Sequence, residues 1–124
     1  LSATYKEWLG SLEYIQKEGN KNVILCERGI RSFDNTTRNV LDIQAIPYIK
    51  NTTPYKIIVD PSHASGHRYM IESDSLAAIA SGADGLIIEV HDHPEEALSD
   101  KEQAIDIEDL SRILNKINKL KDII

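Results

Sequence analysis

The sequence predicts an α/β protein with parallel strands. Three short apolar runs begin at intervals of roughly thirty residues, the spacing expected of repeated strand-helix units. Segments with apolar residues at the three-and-four spacing of an amphipathic helix lie before, between and after these runs. The predicted order is therefore one helix followed by three strand-helix units.

The first helix is predicted from an apolar stripe near the start of the chain. Its members are Tyr5, Trp8, Leu9, Leu12 and Ile15. Thr4 and Glu7 have the spacing of a capping box, in which each residue bonds to the backbone of the other. Gly19, followed by Asn20, supplies a residue that readily adopts the left-handed conformation at a helix end.

The three strands are predicted from short apolar runs, of which the first is uninterrupted, as expected for a strand buried on both faces. The runs are 23–26, 56–59 and 86–90. Polar residues close them, beginning at Glu27, Asp60 and His91. We expect the strands to be parallel, because helical segments long enough for crossovers separate them.

Two further helices are predicted between the strands. Residues 41–49 have helical spacing, although Pro47 must occupy a first turn or introduce a kink. Ser73 or Asp74 is predicted to cap the next helix, which Gly82 ends.

The last helix is predicted to begin near Asp106. Its apolar stripe consists of Leu110, Ile113, Leu114, Ile117 and Leu120. Three parallel strands alone would leave two sheet edges exposed, which is rare in a whole fold. The sequence also begins with Leu1 rather than methionine. We therefore expect the 124 residues to form a single partial domain of a larger protein.

Composition and charge exclude several classes of function. Fourteen basic and twenty acidic residues give a net charge of -6, so a broad electrostatic footprint for nucleic acid or anionic lipid is absent. No apolar run approaches the roughly 20 residues that span a bilayer. The single cysteine, Cys26, cannot form an intrachain disulfide. We expect a cytoplasmic protein with no nucleic-acid or membrane partner.

Polar clusters follow all three predicted strands, where the loops of parallel α/β folds carry their chemistry. His63, Glu89 and Asp100 form an imidazole-plus-carboxylate set suited to Mn, Fe, Zn or Co. Strand alternation places Ile87, Glu89 and His91 on one face. The alternative for each polar residue taken alone is a surface or locally salt-bridged side chain.

Arg28 follows the first strand, a position from which a guanidinium can bind phosphate or carboxylate with two hydrogen bonds. An ion pair with Glu27 or Asp34 is an equally good interpretation. Cys26 lies within an apolar run, so we interpret it as a small buried hydrophobic residue rather than a nucleophile.

The remaining histidines are weaker candidates. His67, His91 and His93 are interpreted as polar loop residues rather than ligands. The phosphate-binding glycine motifs GxGxxG and GxxxxGK[ST] are absent from the sequence, which argues against a dinucleotide fold or a P-loop.

Four strings of the sequence carry a resemblance to a known family. They are VILCERGIRSF, TRNVLDIQAIP, IIVDPSHASGHR and GADGLIIEVHDHPEEALSD. In this order they closely resemble the C-terminal half of 3-deoxy-D-arabino-heptulosonate 7-phosphate (DAHP) synthases, of the subtype related to enzymes fused to chorismate mutase. The resemblance implies that residues 1–124 are part of a TIM (β/α)8 barrel, supplying strands six to eight and their helices. The related 3-deoxy-octulosonate 8-phosphate synthases share the barrel but differ at these motifs.

The resemblance also implies a function and a set of site residues. DAHP synthases are transferases that condense phosphoenolpyruvate with erythrose 4-phosphate, the first step of the shikimate pathway to chorismate and the aromatic amino acids. It implies that His63, Glu89 and Asp100 hold a divalent metal, with His63 also catalytic. It implies that Arg28 binds phosphoenolpyruvate, and that the protein is a homo-oligomer.

Other parts of the family's active site have no counterpart in these 124 residues. The family's metal-binding cysteine, a lysine and arginines at the phosphoenolpyruvate site, and a KPRT stretch for erythrose 4-phosphate belong to earlier strands. Cys26 belongs to CERG and does not replace the ligating cysteine. We therefore expect this chain to be inactive by itself. The alternative is a standalone, non-catalytic α/β module with a regulatory or protein-binding role.

Overall fold

A computed structural model describes residues 1–97 and 102–124 and contains one parallel sheet packed against helices. The sheet order is β1 (Leu25–Glu27), β2 (Ile57–Val59) and β3 (Gly85–Leu86). The helices are α1 (Tyr5–Lys17), α2 (Ala45–Thr52), α3 (Pro61–Ser65), α4 (Ile71–Ala80) and α5 (Ile107–Lys121). Both strand pairs are parallel, as predicted. None of the helices in the described ranges combines the length and apolarity needed to cross a bilayer.

The ends of α1 follow the sequence signals. Thr4 Oγ1 accepts a hydrogen bond from the Glu7 N–H at 3.1 Å, and Glu7 Oε1 accepts one from the Thr4 N–H at 3.0 Å. Gly19, just beyond the helix, has a φ of 104°. The predicted stripe is buried unevenly, because Leu12 lies in the core whereas Ile15 is exposed.

Helix α2 begins at Ala45 rather than near residue 41. Pro47 is its third residue, where a missing N–H costs no intrahelical hydrogen bond. Ile46 and Ile49 are fully buried and direct the helix against the sheet. The predicted helix is confirmed with a later start and with Pro47 in its first turn.

The predicted start of α4 at Ser73 or Asp74 is wrong, because the helix begins at Ile71 after a 3-10 turn over Arg68–Met70. Ile71 is completely buried and packs in one cluster with Ile105 and Ile113. Burial of this isoleucine, rather than a capping side chain, fixes where the helix starts. The predicted stop at Gly82 is confirmed by the φ of 105° at that residue.

Helix α5 begins where the sequence predicts, immediately after Asp106. Asp106 Oδ1 accepts a hydrogen bond from the Asp109 N–H at 2.7 Å, which caps the helix. Ile113 and Ile117 are buried against α4, whereas Leu114 from the predicted stripe is half exposed. The face that packs on the rest of the molecule is therefore narrower than the apolar stripe.

The third strand is shorter than the predicted run 86–90. Ile87 N–H donates to the Val59 carbonyl at 2.8 Å, but β2 ends at Val59. Beyond this point the Glu89 N–H donates to Ser62 Oγ at 2.9 Å. Beyond β3 the chain is hydrogen-bonded to Ser62 of α3 and to Ile105, with which Val90 forms an isolated parallel bridge.

Among residues 1–97 and 102–124, helices cover only one face of the sheet. Leu25, Ile57 and Val59 point to that face and are buried in a core with side chains of α1, α2 and α4. Strand alternation places Ile24, Cys26, Ile58 and Ile87 on the opposite face. We call these four residues the open face; Ile24 is 57% exposed and Ile87 is 48% exposed.

Candidate functional site

The candidate site lies at the carboxyl edge of the sheet, where the segments after all three strands meet. The Asp60 N–H donates to the Glu27 carbonyl at 2.8 Å, which joins the ends of β1 and β2. The hydrogen bond from the Glu89 N–H to Ser62 Oγ joins the segment after β3 to α3. This convergence was predicted from the parallel order of the strands.

His63 is positioned by the short helix α3. Pro61 is the first helical residue, and Asp60 caps the helix by accepting from the His63 N–H at 3.0 Å. The other carboxylate oxygen of Asp60 lies 2.7 Å from His63 Nδ1. Gly66 ends the helix with a φ of 72°. A five-residue helix with both ends fixed therefore holds the imidazole.

Glu89 lies opposite the other ring nitrogen of His63. Glu89 Oε1 is 3.6 Å from His63 Nε2. The Glu89 backbone is held on both sides, by the buried Ser62 hydroxyl and by the Ile105 N–H, which donates to the Glu89 carbonyl at 3.0 Å. The structure thus brings together two of the three residues predicted to be metal ligands.

The third predicted ligand, Asp100, lies outside the described residues. Within residues 1–97 and 102–124, no three histidine, cysteine or acidic side chains form a group able to hold a metal. The pair formed by His63 and Glu89 presents an imidazole nitrogen and a carboxylate oxygen. Mn, Fe, Zn and Co accept such mixed donors, so these two residues fit a divalent metal chemically.

Arg28 is exposed immediately after β1. It lines a cavity of about 110 Å³ together with Cys26, Glu27 and Asp42. The ion pairs of residues 1–97 and 102–124 do not include one between Arg28 and either Glu27 or Asp34. The ion-pair interpretation of Arg28 is therefore not supported.

Glu27 is a buried carboxylate that sequence reasoning did not assign to the site. It accepts from the Asp42 N–H at 2.7 Å and from the Gly29 N–H at 3.3 Å. Burial raises the pKa of the Glu27 carboxyl, and the two N–H donors offset only part of this shift. Strand alternation was the available signal, because it places Glu27 on the same covered face as Leu25.

Gly29 explains how the chain turns directly after Glu27. Its φ is 103°, a conformation that side-chain-bearing residues rarely adopt. A Cβ at this position would lie 2.6 Å from Asn39 Cβ. Only glycine therefore fits between Arg28 and Ile30 without displacement of the facing loop.

The other candidate side chains make contacts of their own. His67 Nε2 is 3.1 Å from the Thr36 carbonyl, and His91 Nδ1 accepts from the His93 N–H at 2.9 Å. These contacts agree with the interpretation as polar loop residues. Cys26 is half-buried, and burial raises the pKa of its thiol, which makes it a poor nucleophile.

A larger cavity, of about 570 Å³, lies between the N-terminal ends of α4 and α5 and is lined by neither His63 nor Glu89. Three of its charged groups pair with one another. Arg112 Nε lies 2.8 Å from Glu72 Oε1, and Arg112 Nη1 lies 2.9 Å from Asp109 Oδ1. These ion pairs join the two helices, so we treat the cavity as separate from the candidate site.

Comparison with known proteins gives one consistent family. Residues 1–124 match the model of the DAHP synthetase I family. Phospho-2-dehydro-3-deoxyheptonate aldolase of Thermotoga maritima is 50% identical over 119 residues, covering 96% of this chain and 35% of that protein. A 2-dehydro-3-deoxyphosphooctonate aldolase of a Geobacter species is 34% identical over 117 residues, covering 86% of this chain and 42% of that protein.

Solved structures give the same result. The crystal structure of the Thermotoga maritima DAHP synthase superposes with a TM-score of 0.96 at 48% identity, covering 98% of this chain and 36% of that one. A truncated form of the Thermotoga maritima synthase gives a TM-score of 0.95, and this chain covers 46% of that structure. The chain thus spans between a third and a half of these relatives, and the predicted partial α/β barrel fold is confirmed. Assignment of its strands as six to eight stays a prediction. The chain belongs to the DAHP synthetase I family.

Proposed function

We propose that the full-length protein containing this sequence is a 3-deoxy-7-phosphoheptulonate synthase. It condenses phosphoenolpyruvate with erythrose 4-phosphate at the start of the shikimate pathway. The observation that carries this proposal is the juxtaposition of His63 Nε2 and Glu89 Oε1 at the carboxyl edge of the sheet. The 50% identity to the heptonate aldolase, against 34% to the octonate aldolase, favours the seven-carbon product.

His63, Glu89 and Asp100 are the residues we assign to a divalent metal, with His63 also assigned to catalysis. When bound, such a metal polarises the aldehyde oxygen or activates a water molecule for attack on the enolpyruvate. The chain's own contribution is to hold an imidazole and a carboxylate at a fixed separation. Ser62 contributes by fixing the Glu89 backbone.

Arg28 is the residue we assign to phosphoenolpyruvate. Its guanidinium stands at the same edge of the sheet, exposed and one strand away from His63. A guanidinium there neutralises the carboxylate or phosphate of the substrate and orients it while the carbon–carbon bond forms.

The test is an assay of the full-length protein with Mn²⁺, phosphoenolpyruvate and erythrose 4-phosphate, measuring phosphate release and the seven-carbon product. His63→Ala and Glu89→Ala should abolish turnover. His93→Ala is the matched control, since His93 is an exposed loop histidine, and it should retain turnover. Chelation of the metal should stop the reaction, and added Mn²⁺ should restore it.

Two results would contradict the proposal. The names of the octonate aldolases imply an eight-carbon product, which by carbon count requires a five-carbon aldose phosphate with phosphoenolpyruvate. Faster turnover with that substrate would show that the protein is an octulosonate synthase rather than a heptulosonate synthase. Absence of turnover with either aldehyde would support the non-catalytic module.

A further inference from the structure

Asp60 contacts His63 through both of its carboxylate oxygens. Oδ1 accepts from the His63 backbone N–H at 3.0 Å, and Oδ2 lies 2.7 Å from the ring nitrogen Nδ1. Asp60 is only 6% exposed, and Pro61 holds the chain directly after it in a helical conformation. The carboxylate is therefore fixed relative to the ring by two bonds to one residue.

The contact with Nδ1 determines where the imidazole carries its proton. An ionised carboxylate has no hydrogen to donate, so Nδ1 must be the donor. A neutral imidazole protonated on Nδ1 has its lone pair on Nε2. In this structure Nε2 is the ring nitrogen that lies 3.6 Å from Glu89 Oε1.

We propose that Asp60 is a positioning residue that selects the Nδ1-protonated tautomer of His63 and holds the Nε2 lone pair on the side of Glu89. This inference rests on the proposed function for its purpose, because a neutral imidazole with a fixed orientation is the form that ligates a divalent metal. A carboxylate behind a metal-bound histidine also raises the basicity of the ligand. The DPSH sequence thus contains both a ligand and the group that orients it.

Asp60→Asn separates this role from helix capping. An asparagine oxygen can still accept from the His63 N–H, so α3 keeps its cap. Its amide nitrogen then faces Nδ1 as a donor, which favours the tautomer protonated on Nε2. We expect the variant to fold and to bind metal through His63 at least tenfold more weakly, within the 10–100-fold range typical of such orienting groups.

Asp106→Asn is the matched control. Asp106 caps α5 by accepting from the Asp109 N–H at 2.7 Å. The Asp106→Asn substitution therefore removes the same charge at the same kind of helix position as Asp60→Asn. The Asp106 variant should leave both the His63 tautomer and the metal affinity unchanged. Circular dichroism and thermal melting of both variants would show that each is folded.

Two measurements on the full-length protein test the proposal. The first is the ring-nitrogen NMR signals of ¹⁵N-histidine-labelled, metal-free protein, with His63 assigned by its loss in His63→Gln. Wild type should show protonated Nδ1, and Asp60→Asn should show protonated Nε2. The second is the dissociation constant for Mn²⁺ or Co²⁺, measured by competition with a chelating dye.

The outcomes distinguish this inference from the proposed function. Protonated Nε2 in the wild type, or an unchanged tautomer and affinity within twofold in Asp60→Asn, would overturn the positioning role. If the wild-type protein binds no divalent metal but shows the expected tautomer change, the positioning role stands and the proposed function fails.

Discussion

Glu27 and Arg28 are adjacent in sequence and have opposite surroundings. Strand alternation turns Glu27 toward the helix-covered face, where it is 6% exposed and accepts two backbone hydrogen bonds. Arg28 is exposed at the edge where His63 and Glu89 meet. The first residue therefore holds the loop after β1 in place, and the second is available to a ligand.

Replacing Arg28 by alanine should weaken phosphoenolpyruvate use without unfolding the protein. Loss of a charge-assisted hydrogen bond to a bound anion costs about 1.5–3 kcal/mol, or at least tenfold in kcat/KM. Steady-state kinetics of the full-length enzyme, with phosphoenolpyruvate as the varied substrate, would measure the change. Arg31→Ala, in the same exposed loop, is the control and should stay near wild type. Equal kcat/KM values for the two variants would contradict a role for Arg28 in binding phosphoenolpyruvate.

Replacing Glu27 by glutamine should change how stability depends on pH. Burial raises the carboxyl pKa in the folded protein, so the folded state binds this proton more tightly than the unfolded state. Wild-type stability therefore declines as pH rises from the unfolded-state pKa of about 4.3 through the raised folded-state pKa. The glutamine side chain does not titrate, so the variant lacks this decline. The stability of Glu27→Gln minus that of wild type, measured as the free energy of unfolding, should thus be larger at pH 8 than at pH 4.

Urea denaturation at both pH values would measure that difference. Glu27→Ala is the companion variant, because it removes the acceptor of the Gly29 and Asp42 N–H groups and should be less stable at both pH values. The expected loss is roughly 1–3 kcal/mol for each buried N–H group left without a partner. A pH-independent difference between Glu27→Gln and wild type would contradict the assigned shift.

Part of the site could be predicted from the sequence and part could not. His63 and Glu89 follow predicted parallel strands, and this alone places them at one edge of the sheet. The double contact from Asp60 depends on a helix only five residues long. Such a helix is too short to show a periodic apolar pattern, so the position of Asp60 behind the ring was not predicted, although Asp followed by Pro is a helix-start signal.

At the scale of whole elements, local signals located the helix ends where a side chain caps the backbone. Thr4 and Asp106 mark the starts of α1 and α5 correctly. The prediction failed for α4, where burial of Ile71 determines the start and Ser73 is simply inside the helix. It also failed for the length of β3, because that length depends on where its neighbour β2 ends. Tertiary contacts therefore decided the elements that sequence patterns misplaced.

Asp84 links three elements and provides a test at this scale. Its carboxylate lies 2.8 Å from Lys50 Nζ at the end of α2 and accepts from the Ile57 N–H of β2 at 2.9 Å, directly before β3. The hydrogen bond from Lys50 is the main cause that lowers the Asp84 pKa. A lowered pKa contributes stability that is present above the unfolded value of about 3.9 and is lost as pH falls through the folded value.

Asp84→Asn should therefore lower the free energy of unfolding at pH 7, and this loss should be smaller at pH 3. Because Lys50 and Asp84 are partly exposed, we expect a loss of about 1 kcal/mol at most. Thermal or urea denaturation at the two pH values would show it. Glu13→Gln, on the exposed side of α1, should have no measurable effect at pH 7. A loss of equal size at both pH values would mean that the Lys50 pair contributes nothing.

At the scale of the whole molecule, the helices in the described part of the chain cover one side of the sheet only. Ile24 and Ile87 of the open face are 57% and 48% exposed. Burial of apolar surface stabilises a complex by roughly 25 cal/mol for each Å² removed from water. This free energy favours self-association of isolated residues 1–124, through the open face and through the two edges of the sheet.

We expect purified residues 1–124 to form oligomers and to show no synthase activity with any divalent metal. Light scattering after size-exclusion chromatography would compare the particle with the chain mass of 13.9 kDa. The double variant Ile24→Asp with Ile87→Asp should shift the population toward monomer. Tyr14→Asp, on an exposed part of α1, should not. A compact monomer would contradict the association, and measurable turnover would contradict the need for further residues.

The position of Cys26 on the open face gives the protein a built-in chemical reporter. Cys26 is the one cysteine of the sequence, so a thiol reagent labels these residues at a single sulfur atom. Where the face is uncovered, a maleimide at mildly alkaline pH reaches the half-buried thiol and reacts with it slowly, because burial raises the thiol pKa. Where another surface lies over Ile24 and Ile58, the same reagent is shielded from the thiol. A labelling time course followed by intact mass would thus give the fraction of molecules whose open face is covered, without a tag or a mutation.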